Sequence, residues 1–199
     1  MDKFSFSIPI SRRDFMKIAG LTTAGALLSG NGETSKVEAA EKVSGKNIKY
    51  AGKNIPVLYS VDICVCGGGP SGTAAAISAA RNGAKVVLIE RGIALGGLAT
   101  LGCVYPFMDT HAPNSDTPYV AEVKQRLRDK GIDPFDKVTQ QVWHNPEVLS
   151  LIYDEMCEES GVNILYNTVL VDALTSGKNI STCIVQTIAG LAAMQQSTA

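Results

Sequence analysis

Hydrophobic and polar positions change period along the chain, and these changes predict the elements of an α/β domain. Residues 61–66 form a nearly continuous apolar run, typical of a strand buried on both faces in a parallel sheet. Residues 71–82 are rich in alanine with helical spacing, and Gly83 ends this helix. Residues 85–90 repeat the buried-strand pattern. Strand, helix and strand within about 30 residues predict a right-handed βαβ unit.

Two more helices and a group of strands are predicted downstream. Helices are expected from Thr117 to Gly131 and from Asn145 to Gly161, because each segment opens with a capping residue and a proline and ends at a glycine. The pattern then favours strands at 163–174, 180–188 and 191–194, separated by glycine-containing turns.

The N-terminal segment has the layout of an export signal. Residues 11–17 read S-R-R-D-F-M-K, and the apolar run at 18–28 is too short to cross a membrane. The heptapeptide resembles the twin-arginine pattern S-R-R-x-F-L-K, with Met16 in place of leucine. This resemblance implies recognition by the twin-arginine export machinery, which moves folded proteins, and a periplasmic or extracytoplasmic location without a stable membrane anchor. The alternative is an N-terminal helix with a chance arginine pair.

A glycine motif joins the first predicted strand to the first helix. Gly67-x-Gly69-x-x-Gly72 is weak by itself, but its position between a buried strand and a helix is the context of a dinucleotide site. Gly67 permits the tight turn, Gly69 lets the backbone approach a pyrophosphate, and Gly72 lets helix and strand pack closely. The helix N-terminus then offers N–H groups to the phosphates. Glu90, at the end of the second strand, is placed to accept hydrogen bonds from ribose hydroxyls. The alternative is a glycine-rich turn in an α/β protein without a nucleotide.

The glycine spacing continues beyond the first motif. Ala76, Gly83, Glu90 and the pair Gly96-Gly97 complete a pattern that resembles G-x-G-x-x-G-x-x-x-A-x6-G-x6-E-x5-G-G of the glutathione-reductase-like FAD flavoproteins. NAD dehydrogenases usually lack the second glycine pair, so the resemblance favours FAD. It implies that Glu90 binds the adenine ribose and that the following loop lines the cofactor. The predicted cofactor-binding residues are Gly67, Gly69, Pro70, Ser71, Gly72, Glu90, Arg91, Gly96, Gly97 and Leu98.

A narrower resemblance covers residues 58–194. The loop at 96–102 and the helix from Asn145 are similar to a bacterial group of FAD-dependent oxidoreductases that includes relatives of the heterodisulfide reductase flavin subunit. The resemblance implies flavin redox chemistry on an unidentified small-molecule substrate, with an unknown electron partner. The chain lacks the A-T-G-D segment of such flavoproteins, so we expect an N-terminal portion of a larger enzyme. The alternatives are a truncated non-catalytic chain that binds FAD weakly or not at all, and an NAD-dependent dehydrogenase.

These patterns together predict the domain organisation. Residues 1–39 are expected to be a twin-arginine signal peptide cleaved after Ala39, and residues 40–57 a solvated, lysine-bearing linker. Residues 58–199 are expected to form an FAD/NAD(P)-binding Rossmann-like domain of the α/β class. We expect its parallel sheet to carry a β-hairpin or meander and to be C-terminally incomplete.

Composition and charge exclude some other classes. The chain has 18 Lys and Arg against 19 Asp and Glu, a net charge of −1, which gives no field to steer nucleic acid. The five cysteines form no zinc pattern and are expected to be buried structural thiols, and no metal site is predicted. Cys103, His111 and His144 are weak candidates for redox or proton chemistry, and the two histidines are expected at the surface or in loops. The sequence identifies no catalytic residue.

Overall fold

The computed structural model describes residues 41–107, 116–133, 135–136 and 141–197 of the chain. The predicted signal segment and His111 lie outside the described residues. The described helices are α1 (Pro70–Arg81), α2 (Pro118–Asp129) and α3 (Pro146–Glu159), with a short 3-10 turn at Gly97–Ala99. The described strands are β1 (Glu41–Lys42), β2 (Asn47–Tyr50), β3 (Lys53–Val61), β4 (Ile63–Cys66), β5 (Val86–Ile89), β6 (Pro106–Phe107), β7 (Phe135–Asp136), β8 (Gln141–Trp143), β9 (Asn163–Leu165), β10 (Val169–Ser176), β11 (Asn179–Thr187) and β12 (Gly190–Gln196).

A parallel sheet and three helices form two packed layers. The sheet has the order β4-β5-β9, and both strand pairs are parallel. All four residues of β5 are buried, which explains its unbroken apolar sequence. The apolar faces of α1, α2 and α3 pack on one side of this sheet, around Ile77, Leu127, Ile152 and Met156. The predicted βαβ unit is therefore confirmed.

A second sheet covers the other side of the parallel sheet. Strands β10, β11 and β12 form an antiparallel meander, and β12 runs parallel to β3, so the sheet order is β1-β3-β12-β11-β10 with β2 also paired to β3. Val87 and Ile89 from the parallel sheet meet Val185 and Met194 from the meander in a second core. The expected Rossmann-like α/β arrangement with a meander is confirmed.

The expectation of a linker at residues 40–57 is wrong. This segment forms β1, β2 and part of β3. In β3 the residues Ile55, Val57, Tyr59 and Val61 are all buried, and their spacing of two is a strand pattern that the lysines obscured. The hairpin between β2 and β3 turns through 51–52, where both residues have positive φ (48° and 76°), as a type I′ turn requires.

The expectation of one strand over 163–174 is also wrong. The segment divides into β9, which belongs to the parallel sheet, and β10, which belongs to the meander. Asn167 lies between them with φ of 52°, a left-handed conformation that asparagine tolerates. The Asn167 N–H donates to Gly92 O at 3.1 Å, and the Thr168 N–H donates to Glu90 O at 3.0 Å. The chain therefore changes sheets next to the predicted site.

The described part of the chain contains no helix long and apolar enough to span a membrane. A small antiparallel sheet of order β6-β8-β7 completes the described strands.

Candidate functional site

A cavity of about 630 Å³ opens at the carboxyl ends of β4 and β5, where ligands bind in open parallel sheets. The predicted residues that line it are Gly67, Glu90, Arg91, Gly97 and Leu98. The predicted residues that lie beside it, at the start of α1 or within the loop, are Gly69, Pro70, Ser71, Gly72 and Gly96. The cavity is also lined by Thr168, Val169 and Leu170, which sequence reasoning missed. The sequence feature that could have indicated them is Asn167, because asparagine tolerates the left-handed conformation that the chain adopts after β9.

The glycine turn brings strand and helix into direct contact. Gly67 has φ of 111°, a conformation that side-chain-bearing residues rarely adopt. A Cβ atom on Gly72 would lie 1.9 Å from the Gly67 carbonyl oxygen, so helix α1 can pack this closely only with glycine there. In contrast, a Cβ on Gly69 would meet no described atom within 4 Å. The backbone at Gly69 therefore faces open space at the N-terminus of α1.

The N-terminus of α1 is left open by its own side chains. Gly69 is the N-cap residue and Pro70 follows it, and no side chain among the described residues caps the helix. Thr73 closes the first turn instead, donating from its N–H to Gly69 O at 2.9 Å and from its hydroxyl to the same oxygen at 2.7 Å. Ser71 is exposed in this turn. The first N–H groups of α1, with the helix dipole behind them, can therefore hold an anion.

Glu90 joins the glycine turn to the loop after β5. Its Oε2 accepts a hydrogen bond from the Gly68 N–H at 2.7 Å, and its Oε1 accepts one from the Gly92 N–H at 2.5 Å. A Cβ on Gly68 would lie 2.5 Å from the end of the Leu95 side chain and 3.0 Å from Oε2, so a larger residue there would have to displace both side chains. Each carboxylate oxygen still has a lone pair for a ligand hydroxyl.

The loop after Glu90 packs back on the glycine turn. The Gly96 N–H donates to Gly68 O at 2.7 Å, and the ideal Cβ position of Gly97 lies 3.2 Å from the Gly69 Cα. The second glycine pair therefore has a physical reason, which is the close approach of two backbone segments. Arg91 and Leu98 lie on the outside of the same loop, and Leu98 is 72% exposed.

His144 supports this loop from behind; it lies in a loop, as expected, but it is buried rather than at the surface. It is only 7% exposed and follows β8, with its ring 4.8 Å from the ring of Phe107. Its Nε2 donates to Ala99 O at 2.7 Å, while its Nδ1 is buried and has no partner among the described residues. Burial lowers the pKa of His144, against a smaller opposing effect of the Ala99 hydrogen bond. The neutral ring therefore holds the loop.

The cysteines differ in burial, and the expectation of buried thiols is only partly right. Cys157 is buried on α3, and burial raises its pKa to about 12. Cys66 and Cys103 are exposed, and Cys66 lines the cavity. Cys64 and Cys183 are half-buried. Among the described residues, no three His, Cys, Asp or Glu side chains are grouped to hold a metal ion.

Two family models match the sequence. One, described as FAD dependent oxidoreductase, matches residues 62–197. The other, described as a TAT (twin-arginine translocation) pathway signal sequence, matches residues 9–29. The chain thus carries a twin-arginine export signal for the twin-arginine machinery, and its destination is the periplasm or beyond.

Known proteins resemble parts of the chain. Digoxin reductase from Eggerthella lenta is 38% identical over 93 residues, which are 44% of this chain and 17% of that protein. The structure of THI4 from Thermovibrio ammonificans is similar with a TM-score of 0.50 at 14% identity, over 69% of this chain and 55% of that one. A 3-ketosteroid-Δ4-(5α)-dehydrogenase from Rhodococcus jostii RHA1 has a TM-score of 0.46 at 18% identity, over 69% of this chain and 44% of that one.

These comparisons differ in what they establish about this chain. This chain spans less than two thirds of the length of each of these three proteins. At 14% identity the likeness to THI4 is one of fold. The first family model, in contrast, covers more than half of the chain, including the glycine turn, Glu90 and the loop that follows. The chain therefore belongs to the FAD dependent oxidoreductase family, whose cofactor is FAD.

Proposed function

We propose that this chain is the FAD-binding portion of an exported oxidoreductase, which transfers electrons between a small-molecule substrate and a separate electron partner. The observation that carries the binding site is the open N-terminus of α1, with Gly69 facing free space beside a cavity of about 630 Å³. A pyrophosphate needs both unpaired N–H groups and a backbone without a Cβ in the way.

Each part of the proposed site has a role in binding one part of FAD. The backbone from Gly67 to Gly72 would hold the pyrophosphate, with Pro70 and Ser71 in the first turn of α1. Glu90 would accept hydrogen bonds from the adenine ribose while it keeps its two backbone partners. When bound, FAD supplies the redox chemistry, and the protein supplies binding, orientation and electrostatics.

The second half of the proposed site is the loop after Glu90. Gly96 and Gly97 would bring this backbone against the glycine turn, and Arg91 and Leu98 would cover the cofactor from its solvent side. The His144–Ala99 hydrogen bond would fix the loop position. His144 is thus a positioning residue, because it acts through the loop.

The identity of the substrate does not follow from the relatives. The matched 93 residues of digoxin reductase are 17% of that protein, so the name of its substrate carries little weight for this chain. We propose only the class of reaction, a flavin-mediated electron transfer. We also propose that residues 1–39 are removed on export and that the cofactor is loaded before it, because the twin-arginine route moves folded proteins.

The test is an absorbance spectrum of the purified full chain, followed by release of the chromophore on denaturation. We expect flavin bands, FAD as the released compound, and saturable binding when FAD is titrated into the empty protein. A colourless protein that FAD cannot reconstitute would favour the alternative of a chain that does not hold its cofactor. Tight binding of NAD instead would favour a dehydrogenase.

Glu90 offers a matched pair of variants. Glu90→Gln keeps the size of the side chain and one of its two acceptor oxygens, and so one of the two backbone hydrogen bonds, whereas Glu90→Ala removes both hydrogen bonds to the backbone of Gly68 and Gly92. We expect both to lower FAD affinity, by roughly tenfold for Glu90→Gln, and Glu90→Ala also to lower stability. Unchanged FAD affinity in Glu90→Gln would contradict the assignment of the ribose to this carboxylate.

A further inference from the structure

Two of the cysteines, Cys64 and Cys183, pack against the core between the two sheets, and a third, Cys66, lies close to Cys64 on the same strand. Cys64 and Cys66 are two residues apart on β4 and therefore point to the same face of the parallel sheet. Cys64 packs against the core that contains Val87 and Met194, and Cys183 on β11 packs against the same core from the meander. Cys64 and Cys183 therefore approach each other from facing sheets.

The side chains of Cys64 and Cys183 pack against the same core and interact with each other. They share a hydrogen bond, and Cys64 also has a side-chain hydrogen bond with Cys66. The bond from the Cys64 S–H lowers the pKa of Cys183 to about 7, and the same interaction raises the pKa of Cys64. Cys183 is therefore partly thiolate at neutral pH, which is the nucleophilic form in disulfide exchange.

Geometry selects one pair from the three thiols. Residues i and i+2 of a strand are roughly 6.6 Å apart with parallel side chains, so Cys64 and Cys66 are poorly placed to bridge. Cys64 and Cys183 come from opposite sheets and pack against the same core between them, as the cysteines of inter-sheet disulfides in β-sandwiches do. Cys66, exposed at the cavity, is left as a free thiol.

The export signal supplies the conditions for a bond. The twin-arginine signal directs the chain to the periplasm or beyond, where disulfides persist, whereas thiols remain reduced in the cytoplasm. We propose that Cys64 and Cys183 form a disulfide bond that ties the meander to the parallel sheet after export. This inference does not depend on FAD binding.

The oxidant is an external disulfide, either glutathione disulfide or the disulfide of a protein oxidant. The Cys183 thiolate attacks one sulfur of this disulfide and releases the other as a thiolate, which leaves a mixed disulfide on Cys183. Cys64 then loses its proton and displaces the second external thiolate. Two protein thiols are oxidised, one external disulfide is reduced, and the two protons end on the two released thiols.

The test uses the full chain equilibrated with glutathione at several ratios of oxidised to reduced form, alkylated and digested with trypsin without reduction. Trypsin places Cys64 and Cys66 together in peptide 54–81 and Cys183 in peptide 179–199. We expect a cross-link between these two peptides in the folded chain. Separately alkylated peptides at every glutathione ratio would overturn the inference.

Variants identify which cysteine of peptide 54–81 is bonded. We expect the cross-link to persist in Cys66→Ser and in the control Cys103→Ser, and to be lost in Cys64→Ser and Cys183→Ser. A cross-link that is lost in Cys66→Ser but kept in Cys64→Ser would overturn the assignment. A cross-link formed equally well in urea would show that the fold does not select this pair, and it would overturn the inference too.

Thermal unfolding gives a readout that needs no cross-linked peptide. A bond between positions so far apart in sequence closes a long loop of the unfolded chain, so we expect oxidation to raise Tm by roughly 5 to 10 °C. The same rise is expected in Cys66→Ser, and no oxidation-dependent rise in Cys183→Ser. A wild-type Tm that does not change on oxidation would contradict a bond between the sheets.

Discussion

The N-termini of α1 and α3 look alike in sequence and differ in how they are capped. Both helices open with a proline and pack on the same core. In α3 the Asn145 side chain accepts a hydrogen bond from the Val148 N–H at 2.9 Å, and Glu147 adds a negative charge in the first turn. In α1 the cap is Gly69, without a capping side chain among the described residues or an acidic residue in the first turn.

The difference supports our proposal that the protein completes one helix end itself and leaves the other for a ligand. A glycine cap costs a helix only a few tenths of a kcal/mol relative to asparagine, so leaving α1 uncapped is inexpensive. The same choice leaves N–H groups and the positive end of the dipole facing the cavity. Helix α2 follows the capped pattern, because Thr117 accepts from the Val120 N–H at 3.3 Å.

The largest effect is expected from Gly72→Ala, which breaks the packing that positions the open helix end. The added Cβ would lie 1.9 Å from a backbone oxygen that cannot rotate away, so α1 must move. We expect a loss of about 3 kcal/mol in unfolding free energy, together with loss of FAD binding. Urea unfolding measures the first, and FAD titration the second. Ser78→Ala on the exposed face of α1 is the control and should unfold like the parent.

Gly69→Ser converts the open end of α1 into a capped one. Its hydroxyl enters space that is free of described atoms, and φ of −67° suits any residue. We expect a small gain in stability of the empty protein and a roughly tenfold loss of FAD affinity, because the new side chain competes with the phosphates. A gain in stability with full FAD affinity would place the phosphates elsewhere.

Asn145→Ala makes the converse change and removes the cap of α3. We expect a loss of about 1 kcal/mol in unfolding free energy while FAD affinity changes less than about twofold. Asn145→Asp is the matched control, since a carboxylate also caps and favours the helix dipole. Equal loss of FAD affinity in Asn145→Ala and Gly69→Ser would remove the distinction between the two helix ends.

The sequence predicts the local elements of this fold better than their partners. The three helices and the strands β4, β5, β11 and β12 follow from apolar period, prolines and glycines. The pairing of β3 with β12 does not follow, because it joins residues that are distant in the chain, and the buried alternation from Ile55 to Val61 lay beside lysines that suggested solvent. The division of the predicted strand into β9 and β10 at Asn167 was missed for the same reason, because the two parts pair with different sheets.

The candidate site shows the same difference between local features, which the sequence predicts, and contacts between distant segments, which it does not. The glycine turn and Glu90 can be located by spacing, since each glycine answers a local steric need. The His144–Ala99 contact, the wall formed by Thr168 to Leu170 and the meeting of Cys64 with Cys183 depend on how separate segments pack. A sequence carries no period or spacing that reports such contacts.

The smallest effect is expected from His144→Gln. His144 directly precedes the N-cap residue of α3 and donates a hydrogen bond to the loop beside α1, so this variant tests the connection between the two helix ends. Burial lowers the pKa of His144, so the unfolded chain binds more protons than the folded one between the lowered pKa and about 6.5. Stability is therefore full above that range and falls as the pH falls through it. Glutamine can donate to Ala99 O without titrating, so the variant should lose this pH dependence in urea unfolding between about pH 5 and 7.5.

The chain has two histidines, which makes His111→Gln the matched control for this test. We expect His111→Gln to keep the acid sensitivity of the parent and His144→Gln to lack it, with near-normal FAD affinity at pH 7.5 because the donor to Ala99 O is retained. If acid sensitivity disappears only in His111→Gln, the buried ring does not govern the loop. The loop would then be held by its own turn, through contacts such as the Thr100 hydroxyl with Leu95 O at 2.6 Å.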